Sequence, residues 1–448
     1  MKIAIIGSGI SGLTSAWYLH KEHDVTVFEA NDYVGGHTAT VDVTVKSGEY
    51  AIDTGFIVFN DRTYPNFENL LEQLDIVGKP SEMSFSVHNN KTGLEYNGHS
   101  LSSLFAQKRN LINPVFYRFL YEITQFNKMA KEAVGDSELM EQTLGQFLEQ
   151  HNFSDYFAEN YILPMGAAIW SSTLSDMRSF PLSFFLRFFL NHGLLDITNR
   201  PQWYVIPGGS REYVRKMQQH IGDCIRLNSP VSSVKRTNGK VIVTSNHKPE
   251  EFDQLIFACH SDQALAMLSD ATSEEAYVLS DIHYQENEVV LHTDTSLLPK
   301  RRMAWASWNY SLPKDRDERE RNLASLTYNM NILQGIFAPE TFCVTLNQTH
   351  AIDEDKILRK FVYSHPVFNN KSIAAQQKRH LINGVNQTWF CGAYWYNGFH
   401  EDGVRSALDV VEAIKTQSRP SGTHDYHNMV AFTSSIEPAT KNVIRSCG

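Results

Sequence analysis

The chain of 448 residues has few features that would place it in a membrane or on a nucleic acid. Its apolar runs stay well short of the roughly eighteen residues that a transmembrane helix needs. It has no excess of basic residues, and the formal net charge of −10 disfavours a nucleic-acid surface. The apolar start is interrupted by glycines and does not resemble a secretory signal. We therefore expect a cytoplasmic protein with peripheral membrane contact at most.

The sequence also lacks the residue patterns of several enzyme classes. No Ser-His-Asp arrangement appears, and no cluster has the spacing of metal ligands, so we predict no metal site. The cysteines are odd in number and scattered, which favours a reducing compartment: Cys224, Cys259, Cys343, Cys391 and Cys447. At 448 residues, the chain fits two domains better than one core.

The most specific pattern lies in the first thirty residues. An apolar run at 3–6 predicts a buried strand, and a helix is predicted from Ser11 to position 21. Between them, Gly7, Gly9 and Gly12 have the G-x-G-x-x-G spacing. They allow, in turn, a tight turn, a close approach to a pyrophosphate and close packing of the helix on the strand. The segment predicts a dinucleotide site at the helix N-terminus.

The acidic residue of this fingerprint is Glu29, at the end of a predicted strand at 25–29. Its carboxylate can accept hydrogen bonds from ribose hydroxyls, and it disfavours the 2′-phosphate of NADP. A second glycine pair, Gly35 and Gly36, has no role in a simple NAD site. It suits FAD, whose ribityl chain continues past the strand ends. Further candidate FAD contacts in this segment are Ala30 and His37.

From the fingerprint onward, residues 1 to about 418 resemble the flavin-containing amine oxidase superfamily, which includes amine oxidases, protoporphyrinogen oxidase and phytoene-type desaturases. His37 stands where that superfamily usually has Arg. The resemblance is carried further by segments at 52–56, 205–210, 230–234, 252–259, 389–393 and 400–404. It implies FAD-contact roles for Thr54, Gly55, Val231, Gly392, Asp402, Gly403 and Val404.

The predicted fold class is α/β. A Rossmann-like FAD-binding domain with a parallel sheet (1–80, 200–275 and 385–418) is interleaved with an α+β substrate-binding domain (81–199 and 276–384). A linker signal at 418–422 precedes a tail, 419–448, to which we assign no function. Helices are predicted at 62–74, 115–133, 144–150, 154–162, 182–191 and 404–415. Strands are predicted at 39–45, 50–58, 83–87, 94–96, 241–244, 254–258, 288–292, 303–310, 324–329 and 342–346.

Flavin chemistry needs few protein acids or bases, because N5 of the cofactor accepts hydride, and we assign no catalytic side chain. A helix beginning near Asp402 could aim its N–H groups at the flavin; Asp402 could equally be an ordinary N-cap. His260, His365 and His400 are interpreted as structural. FAD is predicted to be noncovalent, since Cys391 lies in a predicted strand. No second nucleotide fingerprint is present, which favours oxygen or another acceptor over NAD(P)H.

Four aromatic residues are candidates for lining a substrate cavity: Trp305, Trp308, Tyr394 and Tyr396. Trp305 and Trp308 do not share parity on a strand, so both cannot face the same side. A phenylalanine stripe at positions 184, 185, 188 and 189 predicts a buried helix face, with an interfacial or cavity-entrance helix that admits lipid as the alternative.

The predicted function is an FAD-dependent oxidoreductase that takes hydride from an apolar substrate. Amine oxidases carry Gly-Thr-Glu after the last glycine turn, whereas this chain has Gly392-Ala393-Tyr394 without a carboxylate. The segments 56–60 and 398–403 resemble a bacterial branch associated with cyclopropane-fatty-acid synthase-type enzymes, which implies a lipid acyl chain as substrate and a fatty-acyl-modifying enzyme as partner. The alternatives are an amine oxidase that forms hydrogen peroxide and a flavin-binding partner protein without turnover.

Overall fold

The computed structural model describes residues 1–136 and 139–418, and the predicted tail and Cys447 lie outside these residues. Within them, no helix is long and apolar enough to cross a membrane. The strands are β1 Lys2–Ile6, β2 Asp24–Phe28, β3 Thr40–Val45, β4 Gly48–Asp53, β5 Val58–Asn60, β6 Lys79–Ser81, β7 Phe85–Asn89, β8 Leu94–Asn97, β9 Trp203–Val205, β10 Ile225–Arg226, β11 Val231–Thr237, β12 Lys240–Ser245, β13 Lys248–Phe252, β14 Gln254–Phe257, β15 Tyr284–His292, β16 Trp308–Leu312, β17 Leu326–Asn329, β18 Cys343–Leu346, β19 Ile357–Pro366 and β20 Thr388–Phe390.

The helices connect these strands and cover their faces. They are α1 Ile10–Leu19, α2 Pro65–Gln73, α3 Leu101–Leu104, α4 Pro114–Ala133, α5 Leu144–Gln150, α6 Asp155–Phe157, α7 Leu163–Trp170, α8 Leu174–Arg178, α9 Leu182–Asn191, α10 Arg211–Ile221, α11 Ser261–Met267, α12 Ser273–Ser280, α13 Arg316–Arg321, α14 Met330–Leu333, α15 Asn370–Gln377 and α16 His400–Ser418.

Strand β1 lies at the centre of a five-stranded parallel sheet in the order β10-β2-β1-β14-β20. Strand β1 is covered on both faces, as its unbroken apolar sequence predicts. Ile3 and Ile5 pack into one core with α1 and α16, and Ala4 and Ile6 pack into a second core on the opposite face. The predicted α/β class with a Rossmann-like parallel sheet is confirmed.

A seven-stranded mixed sheet in the order β19-β15-β18-β17-β16-β7-β8 lies outside the parallel sheet. Its strands β7, β8, β15, β17 and β18 overlap the predicted ones. The predicted strand at 303–310 is shorter, because a 3₁₀ turn occupies Arg302–Ala304 and β16 begins only at Trp308. Strand β19 was not predicted, and it pairs with β15 along most of its length. The domain boundaries assigned from the sequence stay a prediction.

The helical region between α4 and α9 packs an aromatic core against this sheet. The predicted helix at 154–162 is α6 followed by a π turn at Ala158–Ile162, which continues into α7. Pro164 has no N–H for the carbonyl of Asn160, and the Tyr96 hydroxyl donates to that carbonyl at 2.7 Å instead.

The phenylalanine stripe lies on helix α9, and its burial distinguishes a core face from a membrane-facing one. Phe185, Phe188 and Phe189 are buried, and Phe184 is partly buried against the same core. The stripe is therefore a core face rather than a membrane-facing one, because its apolar surface is already covered by protein.

Candidate functional site

One cavity of about 1080 Å³ runs from the parallel sheet to the helical region. It opens beyond the carboxyl ends of β1, β2 and β14, where ligands bind in open α/β sheets. The cavity is bounded at its sheet end by the glycine-rich loop after β1 and by Val231. We call this the adenosine end, and we call the region around His37, Gly55, His365 and His400 the flavin end.

The three fingerprint glycines have the separate tasks that their spacing predicts. Gly7 has φ +103°, and a Cβ there would lie 2.7 Å from the carbonyl oxygen of Ala258. A Cβ on Gly12 would lie 2.0 Å from the carbonyl oxygen of Gly7, so α1 can pack closely on β1 only with glycine there. A Cβ on Gly9 would meet nothing within 4 Å, and Gly9 lines the cavity. This open approach to backbone fits a pyrophosphate.

Glu29 follows β2 and lines the adenosine end as a buried carboxylate. Its Oε2 accepts hydrogen bonds from the Ser8 N–H (2.9 Å) and hydroxyl (2.6 Å). Its Oε1 accepts from the N–H and the side-chain amide of Asn31, both at 2.9 Å. Two of these four donors are side chains that can rotate aside, which leaves acceptor positions for ribose hydroxyls.

The other candidate contacts at this end lie where the resemblance implies. Ser11, Ala30, Gly35, Gly36 and Val231 all line the cavity. A Cβ on Gly36 would lie 3.0 Å from the Cα of Gly9, so the second glycine pair is held against the first loop. These positions together form a continuous backbone cradle that fits the predicted cofactor.

Near the flavin end, too, the backbone segments approach each other closely. A Cβ on Gly55 would lie 2.0 Å from the carbonyl oxygen of His37, and both residues line the cavity. Thr54 lies behind this wall, and its hydroxyl is 3.0 Å from that of Tyr363. Asp53 is buried below, where it accepts hydrogen bonds from Ser210, Thr40 and Gln334. Burial raises the pKa of Asp53 to about 6.

His192 and four further histidines line the cavity: His37, His260, His365 and His400. Desolvation by the surrounding protein lowers the pKa of His37 to about 3 and that of His365 to about 4. The same cause lowers the pKa of His260 and holds that of His400 well below its usual value. At neutral pH all four imidazoles are uncharged. The position where the superfamily usually has Arg therefore carries a polar but neutral ring.

His365 is oriented by two partners on its Nδ1 atom. The side-chain amide of Asn287 lies 3.3 Å away and can only donate, so Nδ1 is an acceptor. The hydroxyl of Ser171, at 3.0 Å, therefore also donates to Nδ1. Neutral His365 then carries its proton on Nε2. Ser171 has a left-handed backbone with φ +51°, which places its side chain at the cavity wall.

His400 is the first residue of α16, whose predicted start at 404 was four residues too late. Its ring stacks on Phe56 with centroids 3.7 Å apart, and its Nε2 lies 2.8 Å from the hydroxyl of Tyr213. The helix begins earlier than predicted, and the cavity is lined here by His400 and by the two residues before the helix, Gly398 and Phe399.

The predicted contacts Asp402, Gly403 and Val404 lie behind that wall. Asp402 accepts a hydrogen bond from the N–H of Phe399 at 2.8 Å, which is a capping role. Burial raises the pKa of Asp402 to about 7. The carbonyl of Gly403 accepts from the Ser11 hydroxyl, which joins α16 to α1. Val404 is buried in the core, whereas Gly392 lines the cavity.

The remaining part of the cavity is mainly apolar and aromatic, with Arg200 as the one cation among the described residues that line it. Its walls include Tyr161, Met165, Trp170, Phe188, Phe368 and Phe399. Of the four aromatic candidates, Trp308 and Tyr394 line the cavity. Trp305 and Trp308 were not expected to face the same side of a strand, and only Trp308 of the two lines the cavity. The structure places Trp305 and Tyr396 elsewhere: the Trp305 indole donates to the carbonyl of Pro299, and the Tyr396 hydroxyl donates to Asp409.

Sequence reasoning missed the functional residues that long-range pairing supplies. Tyr363 and His365 belong to β19, and Ser171 ends α7. The alternation of Phe361, Tyr363 and His365 was a signal for one strand face, and it was overlooked. Among the residues described, no group of His, Cys, Asp and Glu could hold a metal. Cys391 is buried away from the cavity, and Cys259 lines the cavity beside Ala258, whose carbonyl meets Gly7.

Known proteins match both the sequence and the fold. A family model described as flavin containing amine oxidoreductase matches residues 10–334. The 1-hydroxycarotenoid 3,4-desaturase of Flavobacterium sp. (strain P99-3) is 32% identical over 162 residues, which cover 35% of this chain and only 31% of the desaturase.

Two solved structures share the fold at low identity. A CLA-producing fatty acid isomerase from P. acnes has a TM-score of 0.66 at 15% identity, over 92% of this chain and 98% of its own. Cyclohexylamine oxidase from Brevibacterium oxydans IH-35A has a TM-score of 0.66 at 14% identity, over 93% of this chain and 99% of its own.

Proposed function

Since the chain belongs to the flavin containing amine oxidoreductase family and is a flavin-dependent oxidoreductase, we propose that it binds FAD noncovalently and dehydrogenates an apolar substrate, a lipid acyl chain. We also propose that an enzyme of the cyclopropane-fatty-acid synthase type is a partner of this protein.

The choice of an apolar substrate rests on the side chains that line the cavity. Glu29 is the one acidic side chain among the described residues that line the cavity, and it lies at the adenosine end. The apolar region beyond the flavin end thus offers no carboxylate to an ammonium group. Burying an unpaired cation there would be costly, whereas a hydrocarbon chain loses nothing by leaving water.

The cofactor proposal depends on the cradle described above. Gly9 leaves space for the pyrophosphate, the N-terminus of α1 supplies N–H groups, and Glu29 would hold the ribose. A bound flavin supplies the hydride acceptor of the reaction. Cys391 has a thiol whose pKa burial raises to about 12, and it lies outside the cavity, which supports noncovalent binding.

The neutral histidines would serve an apolar substrate. Charged rings at these positions would bring hydration water into the cavity, and burial prevents that by keeping them unprotonated. The Nε2–H of His365 offers one fixed donor at the cavity wall. Such a donor can orient a polar atom of cofactor or substrate without placing a net charge beside the acyl chain.

The comparisons support the same substrate class in part. The segment shared with the desaturase belongs to a protein named for the desaturation of a hydroxycarotenoid. The fold shared with a fatty acid isomerase is compatible with an acyl chain. The fold is shared equally with an amine oxidase, so the amine alternative enters the test below.

Anaerobic reduction of the bound flavin tests the proposal. We expect bleaching of the flavin absorbance by long-chain acyl lipids and none by cyclohexylamine or putrescine, because only the lipid gains from transfer into the apolar region. Trp170→Asp, which places a carboxylate in that region, should slow reduction by lipid. Bleaching by the amines alone would contradict the lipid substrate, and bleaching by neither class would favour a flavin-binding protein without turnover.

A further inference from the structure

Two segments of the chain contain no acidic residue although the whole protein is acidic. Residues 96–121 and 295–312 have no Asp or Glu, whereas the formal net charge of the chain is −10. Each segment has three Lys or Arg residues: Lys108, Arg109 and Arg118 in the first, and Lys300, Arg301 and Arg302 in the second.

The fold brings these segments side by side. The side-chain amide of Asn97 donates to the carbonyl of Trp305 at 2.7 Å. Glu95 is buried next to them and accepts from the N–H of Lys300 and from the guanidinium of Arg301. A concavity of about 560 Å³ lies between the segments, and its lining includes Lys108, Arg109, Arg301 and Arg302. Lys108 has no ion-pair partner among the residues described.

The same surface exposes large apolar side chains. Ile112 is 87% exposed and Leu101 78%, and five others are also exposed: Leu111, Val115, Tyr117, Tyr121 and Met303. Leu101 begins α3, Leu111 and Ile112 end a 3₁₀ turn at Lys108–Ile112, and Met303 lies in the turn Arg302–Ala304. The other three residues are in the first half of α4. Asn113 caps α4 through the N–H of Val115, and buried Gln107 donates to the carbonyl of Gly93 at 2.6 Å. We call this surface the 101–121 face.

We propose that the 101–121 face docks on the surface of a bilayer that contains anionic phospholipid. The apolar tips enter the boundary between headgroups and acyl chains, while the cations of the concavity meet lipid phosphates. This combination of apolar and basic groups is typical of interfacial binding. The inference goes beyond the proposed reaction and does not depend on which substrate is oxidised.

The observations favour a bilayer over a protein partner. The exposed apolar residues lie on several short elements around the basic concavity rather than on one continuous apolar face. A fluid interface can surround such tips, whereas a protein partner needs a complementary surface. The negative charge of the rest of the chain would turn the remaining surfaces away from anionic lipid, so charge complementarity also orients the molecule.

Binding of the flavin-loaded protein to vesicles tests the docking surface. We expect sedimentation with vesicles of phosphatidylcholine and phosphatidylglycerol in equal amounts, much less with phosphatidylcholine alone, and weakening as salt is raised. Lys108→Gln/Arg302→Gln should weaken binding by about fivefold for each cation removed. Leu111→Ser/Ile112→Ser should weaken it by about tenfold or more, and flavin content should stay unchanged in both variants.

Matched variants elsewhere on the surface serve as controls. Arg359→Gln/Lys360→Gln removes two exposed cations from β19, and Val77→Ser/Phe337→Ser removes two exposed apolar side chains. Neither should change vesicle binding. Failure to sediment with anionic vesicles, or an equal loss in the controls, would overturn the proposal.

Two further results would assign the 101–121 face to another occupant and would therefore overturn the bilayer proposal. One is self-association of the protein in sedimentation equilibrium that Leu111→Ser/Ile112→Ser abolishes. The other is displacement from vesicles by inorganic phosphate well beyond the effect of chloride at equal ionic strength, which would indicate a site for free phosphate.

Discussion

The two ends of the cavity differ in what forms their walls. At the adenosine end the wall is mainly backbone, from Gly7, Gly9 and Gly36, with one carboxylate from Glu29. At the flavin end it is largely made of side chains, and neutral histidines are among its polar groups. The first end is built mostly from the first 36 residues of the chain, with Val231 as a distant addition. The second joins residues as far apart as Ser171 and His365.

The difference shows how each end achieves selectivity. A pyrophosphate is recognised by N–H groups and by access to them, so glycine spacing is sufficient. At the flavin end, the apolar substrate that we propose would require polar groups that orient it without carrying charge. Burial supplies this by lowering the pKa values of the histidines, a result that no local sequence pattern encodes.

The largest effect is expected from alanine at two glycines of the adenosine end. Gly12→Ala forces a Cβ to 2.0 Å from the Gly7 carbonyl, and it should lower the free energy of unfolding by about 3 kcal/mol or more. Gly9→Ala meets no protein atom within 4 Å, so the apoprotein should keep its melting temperature. It should bind FAD about 10- to 100-fold more weakly, because the new Cβ occupies the approach to the backbone.

The measurement is the melting temperature of each apoprotein together with a titration by FAD. FAD released on denaturation is quantified in parallel, and full release is expected for a noncovalent cofactor. If Gly9→Ala destabilised the apoprotein as much as Gly12→Ala does, the two glycines would not have separate tasks.

A smaller effect is expected on the pH dependence of stability. Burial lowers the pKa of His365 and of His192 to about 4, from 6.5 in the unfolded chain. Between pH 6.5 and about 4 the unfolded chain binds protons that the native state does not, so stability is lost as pH falls through this window. Each histidine should remove about 2 kcal/mol between pH 7 and pH 5.

Two buried carboxyl groups change the free energy of unfolding with pH in the opposite direction. The pKa of Asp402 is raised to about 7 and that of Asp53 to about 6, so their contribution is lost as pH rises. The sharper observable is therefore a difference: His365→Gln should reduce the drop in unfolding free energy between pH 7 and pH 5 by about 2 kcal/mol. Tyr363→Phe on the same strand should leave that drop unchanged. Equal drops in wild type and His365→Gln would contradict a buried neutral His365.

The smallest effect is expected at Ser171, which combines a strained backbone with a hydrogen bond to His365. Ser171→Ala keeps the left-handed backbone and loses the bond, so it should cost about 1 kcal/mol in urea unfolding. Ser171→Gly loses the same bond but relieves the strain, and it should be nearly neutral. If alanine and glycine were equally destabilising, the backbone at this position would not be strained.

Local pattern predicted much of the secondary structure. The helices at 144–150 and 182–191 were predicted to the residue, because apolar periodicity marks both, and a Thr143–Gln146 capping box also marks the start of the first. Strand β19 was missed, since no apolar run of a buried strand marks it and the alternation of Phe361, Tyr363 and His365 is its one local signal. The start of α16 was also misplaced, because the favourable packing of His400 on Phe56 comes from residues far apart in sequence.

The sequence alone determined the dinucleotide cradle, the α/β class and the family resemblance. These depend on backbone geometry and spacing, which neighbouring residues specify. Only the tertiary structure decided which aromatic residues face the cavity, that His37 and His365 are neutral there, and that the apolar and basic groups of the 101–121 face lie together. Burial and electrostatic environment are properties of the assembled chain, because they depend on residues that only folding brings into contact.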